Sequence, residues 1–221
     1  ICKDDLQGNS MKVSAVCTIT KSLPIRFSTF VNCSLLANFG YINFFKEKDA
    51  SSDNNLLIRN MKKIGFGGGC HWCTEAIFQA LNGVESVEQG WISSLNPYDT
   101  FSEAVIVHFN EGITLDVLIE VHLLTHSSAS AHSMRYKYRS AVYYIDPNDK
   151  DTIEIIINKL SKENDTKYIT QTLPLADFRL NSERFLNYYK KDKQKPFCQT
   201  NINPKLAAIR KTFGHHIRND F

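Results

Sequence analysis

The amino-acid sequence predicts an α+β fold, in which helices pack on a mixed sheet around a ferredoxin-like split βαβ core. Two observations carry this prediction: helical and strand-like segments alternate from Lys62 onward, and the sequence has no internal repeat. The chain has 221 residues, 43% hydrophobic and 22% charged, which suits one ordinary packed core. Its formal net charge of +3 is too small and too evenly spread to indicate a nucleic-acid partner.

The helices and strands that follow residue 62 are predicted from the hydrophobic periodicity of the sequence and from the residues that typically end a helix or strand. The strand at 63–66 runs into three glycines, and the helix at 72–81 carries an apolar stripe that Asn82-Gly83 ends. Thr114 is a typical N-cap for the next helix, which carries Leu115, Leu118 and Val121. The predicted order is a strand at 63–66, a helix at 72–81, strands at 84–91 and 103–109, and a helix after residue 114.

The second half follows a loop at 126–137 that has few apolar anchors. Its strand at 139–145 is recognised by the run Ala-Val-Tyr-Tyr-Ile, and the later elements follow the same periods. The predicted order is a strand at 139–145, a helix at 151–162, a strand at 168–173 and a helix at 182–190.

Residues 1–60 are predicted to be a poorly structured N-terminal extension of a domain at 61–221. They show no sustained period and end in a polar run typical of a linker. The chain begins with Ile1, whereas Met61 opens Met-Lys-Lys-Ile-Gly-Phe directly before the first strand. One hypothesis therefore takes Met61 as the initiator and residues 1–60 as an artefact of an upstream start.

The extension also contains nineteen uncharged residues between Arg26 and Lys46, which raises the question of a signal or a membrane anchor. Seven of them are Ser, Thr, Asn or Gly, and no clear small-residue cleavage site follows. We therefore expect no membrane association. On the hypothesis that Met61 is the initiator, the protein carries no targeting signal and is expected in the cytoplasm.

The densest chemical signal is the segment from Gly65 to Glu75. Four of the ten glycines lie within five residues and lead to Cys70 at the mouth of a helix. The first-turn N–H groups and the helix dipole stabilise a thiolate there, which makes a nucleophile. Glycines 67–69 permit φ angles that other residues resist, and they leave room for a substrate to approach the backbone closely. A glycine-rich turn before a buried structural cysteine is an equally good interpretation of the residues alone.

Cys70 and Cys73 form a Cys-x-x-Cys pair with three possible interpretations. The pair fits the dithiol of a thioredoxin-like enzyme, half of a zinc site, or a nucleophile with the thiol that resolves its oxidised form. No second Cys-x-x-Cys pair is present, and the His-x-x-x-His pair His122/His126 lies much farther from Cys73 than the spacing of about 12 to 15 residues in a zinc finger, so we expect no metal.

Three blocks in order carry a family resemblance: Gly-Gly-Gly-Cys-His-Trp-Cys-Thr-Glu at 67–75, Ser-Glu-Ala-Val at 102–105 and Tyr-Arg-Ser-Ala-Val-Tyr-Tyr at 138–144. From about residue 62 to 198 the chain resembles the A-class peptide methionine sulfoxide reductases. The resemblance implies reduction of the S epimer of methionine sulfoxide, free or in proteins, without a bound cofactor. Thioredoxin, or dithiothreitol in vitro, would supply the electrons. We expect a monomer.

The resemblance also implies catalytic roles. Cys70 matches the nucleophile that attacks the sulfoxide sulfur, and Glu103 matches the acid that protonates the oxygen. Tyr138 matches the tyrosine whose hydroxyl donates to that oxygen. Cys198 matches the C-terminal thiol that resolves the oxidised nucleophile, and Cys73 is its rival because it lies only three residues from Cys70.

Three further residues are expected to bind the substrate. Trp72 matches the aromatic wall around the substrate methyl group, and Tyr98 is the best candidate for a second hydroxyl donor. His71 stands where most relatives have phenylalanine, so one wall of that pocket becomes a titratable imidazole that could also help to hold the Cys70 thiolate. Ser133 replaces the usual aspartate before Tyr138. We therefore expect an active but divergent reductase.

Two other functions remain open from the sequence. A thiol-disulfide oxidoreductase would need Cys70 and Cys73 but not Glu103. A non-catalytic module would bind methionine sulfoxide without consuming it, and the altered residues around the site favour that alternative.

Overall fold

The structure is a computed structural model that describes residues 61–221, so the predictions for residues 1–60 concern a part of the chain outside this range. The described residues form one six-stranded sheet and five α-helices. The strands are β1 Lys62–Gly67, β2 Val84–Ser93, β3 Ser102–Phe109, β4 Ala141–Tyr144, β5 Gln171–Pro174 and β6 Asp177–Leu180. The helices are α1 His71–Gln79, α2 Leu115–Thr125, α3 Asp149–Glu163, α4 Tyr188–Lys191 and α5 Asn203–Phe213.

The order of the strands confirms the predicted fold class. The sheet runs β5-β4-β1-β3-β2-β6, and its four central strands pair antiparallel. Strands β1 and β2 flank β3 and are joined through α1, while β3 and β4 flank β1 and are joined through α2. These are two split βαβ units of the ferredoxin-like kind. Strand β5 pairs parallel with β4 through α3, which makes the sheet mixed.

The main core lies between the sheet and its helices. Alternate residues of the central strands, such as Phe66 and Val105, face the helices because successive side chains of a strand point to opposite faces. The rings of Phe66 and Phe78 stack with centroids 4.5 Å apart, which fixes α1 against β1. A smaller cluster on the other face is built from Ile92, Ala104, Ala141, Tyr143 and Leu173.

The C-terminal part differs from the prediction. The helix expected at 182–190 is wrong: Glu183–Phe185 is a 3-10 turn and α4 has only four residues. The physical reason is Asn187, whose φ of 55° is left-handed and interrupts any helix there. Strand β6 and helix α5 are additional elements that the hydrophobic periodicity of the sequence did not predict.

The glycines after β1 are required by close contacts. A Cβ on Gly67 would lie 2.9 Å from the Arg139 carbonyl oxygen, and one on Gly68 would lie 2.5 Å from the His126 ring. Among the described glycines, a positive φ occurs at Gly83, so the freedom of φ that glycines 67–69 permit is not used there. The missing side chains instead let β1 turn tightly into α1, which positions Cys70.

Within 61–221 no helix combines the length and the apolar character that crossing a bilayer requires.

Candidate active site

Cys70 is the N-cap residue of α1. Its backbone is extended, with φ of −57° and ψ of 126°, and its carbonyl accepts the N–H groups of Cys73 and Thr74 at 3.0 and 3.1 Å. Its side chain makes no capping hydrogen bond and is half-buried. The sulfur therefore lies at the positive end of the helix while it remains partly open to a reactant.

The two thiols of the Cys-x-x-Cys pair are electrostatically unequal. A hydrogen bond from the Cys73 thiol lowers the pKa of Cys70, and the backbone N–H groups of Trp72 and Cys73 act in the same direction against burial and the charge of Glu103. The same thiol-thiol hydrogen bond, together with burial, raises the pKa of Cys73. Cys70 is therefore the thiolate of the pair and Cys73 the thiol that donates to it.

Glu103 lies close to this thiolate although it belongs to β3. Its side chain is buried, and Oε2 accepts the backbone N–H of His71 at 3.1 Å. That N–H belongs to the first residue of α1, one of the donors that the side chain of Cys70 leaves unpaired. The second oxygen, Oε1, lies 3.2 Å from Nζ of Lys137. The carboxylate thus ties the strand of the predicted acid to the helix of the predicted nucleophile.

A cleft of about 300 Å³ opens beside this carboxylate. It brings together four of the predicted site residues, which are His71, Trp72, Glu103 and Tyr138. The other lining residues are Trp91, Lys137, Asn181 and Phe185. The lining therefore combines aromatic with polar and charged side chains, as a small ligand that has a methyl group and an oxygen requires.

Trp72 is held from behind by the C-terminal segment. Its indole stacks on Tyr188 with centroids 4.2 Å apart and planes 8° apart, and it meets the edge of Phe197 at 5.5 Å. The indole Nε1 is buried without a hydrogen-bond partner. This packing fixes the aromatic wall of the cleft.

His71 contributes a neutral imidazole to the cleft. Burial lowers the pKa of His71, and the nearby charge of Glu103 only partly opposes this effect. The amide nitrogen of Asn181 lies 3.3 Å from Nδ1 of His71, and it also donates to Gln89 at 2.7 Å. A neutral ring supplies no positive charge to the Cys70 thiolate, so His71 acts there as a polar wall.

The structure separates Tyr98 from this cleft. Tyr98 lies in the turn after β2 and packs against the smaller cluster on the opposite face of the sheet. Its hydroxyl accepts from the Gln171 amide, and its ring contacts the Arg139 guanidinium at 5.4 Å. The expected position of Tyr98 beside the substrate is thus corrected, because its ring packs on the smaller cluster and not among the residues that line the cleft.

Cys198 begins the π-helical turn Cys198–Ile202 and is buried in the main core. Its Sγ donates to the carbonyl of Asp192 at 3.5 Å, and burial raises its pKa. The charge that Cys198 would carry also acts on Cys73, which places Cys73 within electrostatic reach of both other cysteines. Cys70, Cys73 and Cys198 are all free thiols.

The described residues contain no cluster of three or more His, Cys, Asp or Glu side chains arranged to hold a metal ion.

Comparison with known families identifies the domain that carries this site. A family model described as peptide methionine sulfoxide reductase matches residues 62–217, which is most of the chain. The chain belongs to this family. The match begins at β1 and ends after α5, so it includes every element that lines the cleft of this reductase domain.

Curated relatives carry the name peptide methionine sulfoxide reductase MsrA. The protein of Psychrobacter arcticus is 32% identical over 173 residues, covering 71% of this chain and 99% of the relative. The protein of Acinetobacter baumannii is 30% identical over 174 residues, covering 72% and 100%. These relatives match the reductase domain at nearly their full length.

Two solved structures share the fold of this reductase domain. Mxr1 from Saccharomyces cerevisiae in reduced form has a TM-score of 0.56 at 20% identity, covering 65% of this chain and 92% of that one. Methionine sulfoxide reductase A of Corynebacterium diphtheriae has a TM-score of 0.52 at 22% identity, covering 60% and 76%.

Sequence reasoning missed four residues that line the reductase cleft: Trp91, Lys137, Asn181 and Phe185. The position of Trp91 could have been inferred from the sequence, because Trp91 lies in a predicted strand and pairs directly with Glu103 of the neighbouring strand. Lys137 directly precedes Tyr138, but no periodic element marks the loop around it. Asn181 and Phe185 reach the cleft through tertiary contacts alone.

Proposed function

We propose that this chain reduces methionine sulfoxide, free or in proteins, to methionine, and that it acts on the S epimer. The observation that carries the proposal is the Cys70 thiolate at the N-terminus of α1, with the Glu103 carboxylate bound to the very next residue beside an aromatic cleft. A nucleophile and a group that can handle a proton are thus positioned for one small substrate.

The chemical step transfers oxygen to sulfur. The Cys70 thiolate attacks the sulfoxide sulfur, the sulfoxide oxygen takes one proton, and the products are a Cys70 sulfenic acid and methionine. A sulfoxide is a poor electrophile until its oxygen is protonated or strongly hydrogen-bonded. The family resemblance assigns this task to Glu103 with Tyr138, and both line the cleft.

The asymmetry of the cleft supports selection of one epimer. The polar residues Lys137 and Tyr138 suit the oxygen, while the aromatic residues Trp72, Trp91 and Phe185 suit the methyl group. Once the positions of the sulfoxide oxygen, the methyl group and the attacking Cys70 sulfur are fixed, the rest of the substrate can extend from the sulfoxide sulfur in one direction only. Only one configuration at the sulfoxide sulfur then fits.

The sulfenic acid must next condense with a second thiol, releasing water and forming a disulfide. Cys73 is the first candidate because its thiol donates a hydrogen bond to Cys70, and because the extended backbone of Cys70 lies outside the regular helix. Cys198 is buried in the same core as Cys73 and is the second candidate, which would exchange with the Cys70–Cys73 disulfide. Thioredoxin, or dithiothreitol in vitro, then reduces the disulfide.

This chemistry fits a monomer in a reducing compartment such as the cytoplasm, because an oxidising one would consume the thiolate.

Turnover of separated epimers tests the proposed function. With dithiothreitol, the purified chain should convert the S epimer of N-acetylmethionine sulfoxide amide to the thioether and leave the R epimer unchanged. Chiral chromatography of the residual substrate measures both. Binding of the S epimer without turnover would instead identify a non-catalytic module, and turnover of the R epimer alone would exclude the proposed pocket.

A second experiment identifies the resolving thiol. Reduced protein that receives one equivalent of the S sulfoxide, without reductant, should form a Cys70–Cys73 disulfide, which peptide mass spectrometry detects. In Cys73→Ala we expect the Cys70 sulfenic acid to persist long enough for dimedone to trap it. A Cys70–Cys198 bond as the first product of the wild type would contradict the assignment of Cys73.

The second candidate function is a thiol-disulfide oxidoreductase, which the unequal pKa values of Cys70 and Cys73 favour. Such an enzyme reduces an insulin disulfide and does not need Glu103. If Glu103→Gln retains insulin reduction while wild-type protein leaves sulfoxide untouched, this candidate replaces the first.

A further inference from the structure

Glu75 of α1 is a buried carboxyl group that the reaction described above does not use. The residue is 1% exposed, and both of its oxygens act as acceptors. Oε1 accepts the backbone N–H of Asn187 at 2.8 Å, and Oε2 accepts that of Tyr188 at 3.3 Å. Oε2 also accepts the side-chain amide of Gln89 at 2.9 Å. Glu75 therefore joins α1 to β2 and to the start of α4.

The amide of Gln89 has one possible orientation. Its nitrogen donates to Glu75 and also to the backbone carbonyl of Phe185 at 3.2 Å. A backbone carbonyl only accepts, so the NH₂ group of Gln89 must face it. The amide oxygen then points the other way and accepts the side-chain N–H of Asn181 at 2.7 Å. Gln89 thus holds the main chain of Phe185 and connects Glu75 to Asn181.

Asn181 is the end of this hydrogen-bond chain, and it lies in the cleft. Its oxygen accepts the indole N–H of Trp91 at 3.1 Å. An indole N–H only donates, so the oxygen of Asn181 must face Trp91 and its nitrogen must face Gln89. Asn181 and Trp91 both line the cleft. The position of the Trp91 ring is therefore tied to Glu75 through two side-chain amides.

The remaining aromatic residue of the cleft is held through the backbone of α4. Tyr188, whose N–H Glu75 accepts, stacks on Trp72. The three aromatic residues that suit the substrate methyl group are Trp72, Trp91 and Phe185, and each is now connected to the same carboxyl group. A change at Glu75 should therefore displace all three together.

We propose that Glu75, Gln89 and Asn181 are positioning residues that set the size of the alkyl group that the cleft accepts on the sulfoxide sulfur. This inference rests on the proposed function and refines it. Aromatic side chains that are held in place reject a group one methylene larger than methyl, whereas side chains that can shift make room for it. In this chain every donor faces an acceptor, so a mismatch at Glu75 is transmitted to Trp91.

The test uses two substrates that differ by one methylene, the S epimers of N-acetylmethionine sulfoxide amide and N-acetylethionine sulfoxide amide. We expect wild-type protein to prefer the methyl substrate by about 10-fold or more in kcat/KM. Glu75→Gln places an NH₂ group against one of the three N–H donors, so the preference should fall to about 3-fold or less. The ratio for two substrates is independent of the folded fraction, so lower stability alone does not change it.

Asn181→Asp gives the same test at the half-buried end of the chain, where the variant is easier to fold. It keeps the side-chain shape and the acceptor for Trp91 but places an oxygen against the oxygen of Gln89, so the preference should again fall. The double variant with Glu75→Gln should show no further fall, because both changes act through one chain. Glu163→Gln, whose side chain is 54% exposed at the end of α3, is the matched control and should keep the wild-type preference.

Alkylation of Cys70 by iodoacetamide is the second readout, and its rate in each variant should match wild type. An unchanged methyl preference in either folded single variant would overturn the inference, as would additive falls in the double variant or equal turnover of both substrates by wild type. A loss of alkylation that parallels the loss of turnover would also overturn it, because Glu75 would then act through the nucleophile. Wild-type protein that reduces neither S sulfoxide would instead refute the proposed function itself.

Discussion

Cys70→Ser should abolish reduction of methionine sulfoxide, with a loss on the order of 10⁴-fold or more. The structure gives two reasons: Cys70 is the thiol whose pKa its surroundings lower, and the other two described cysteines are buried. A serine hydroxyl stays protonated in the same place and is a far weaker nucleophile. The rate of methionine formation with dithiothreitol measures the effect.

The pH dependence of Cys70 alkylation tests the same point without substrate. The folded protein lowers the pKa of Cys70, so the thiolate forms at a lower pH than in an ordinary cysteine and is lost as the pH falls through the lowered value. The midpoint of iodoacetamide alkylation should therefore lie below about 8.5, the value of an ordinary cysteine. Because the Cys73 thiol makes the largest contribution, Cys73→Ala should move the midpoint upward.

Cys198→Ser is the control for both measurements. Cys198 is buried in the main core and does not line the cleft, so the first turnover and the alkylation midpoint should match wild type. Reductase activity that survives in Cys70→Ser would contradict the assignment of the nucleophile.

The strands of the central sheet could be predicted because the hydrophobic pattern of each strand is present in its own sequence. Residues of β3 and β4 alternate between the main core and the smaller cluster, and polar residues lie where the chain turns. Strand β6 lacks this signal. Its residues Asp177–Leu180 are mostly exposed, and their pairing with β2 defines them as a strand. A strand that is defined by its pairing with a distant strand cannot be predicted from the hydrophobic periodicity of its own residues.

The residues of the site show the same contrast: some are placed by the sequence next to them, and others are brought together only by the fold. Cys70 follows its glycines directly, so the sequence places it at a helix N-terminus. Lys137 meets Glu103 across the fold, from a loop without periodicity. Tyr98 was misplaced because the sequence around a turn does not fix the face of the sheet that the next side chain reaches, and a shift of one residue reverses that face.

Glu103→Gln should lower kcat/KM for the S sulfoxide by about 100-fold, whichever group of the cleft delivers the proton. The two carboxylate oxygens of Glu103 accept from the His71 N–H and from the Lys137 ammonium. An amide has one oxygen and one NH₂ group, so it can accept from only one of these donors and turns an N–H toward the other. Either α1 loses the contact at its first residue, or Lys137 is released from its place beside the cleft.

Two further variants separate charge from reach in this prediction. Glu103→Asp keeps the negative charge but withdraws it by one methylene from both donors, so it should also lose activity. Glu154→Gln, on the exposed side of α3, is the matched control and should behave as wild type. Melting curves establish that each variant is folded. A folded Glu103→Gln protein that reduces the S sulfoxide at the wild-type rate would show that this carboxylate neither handles the proton nor holds the group that does.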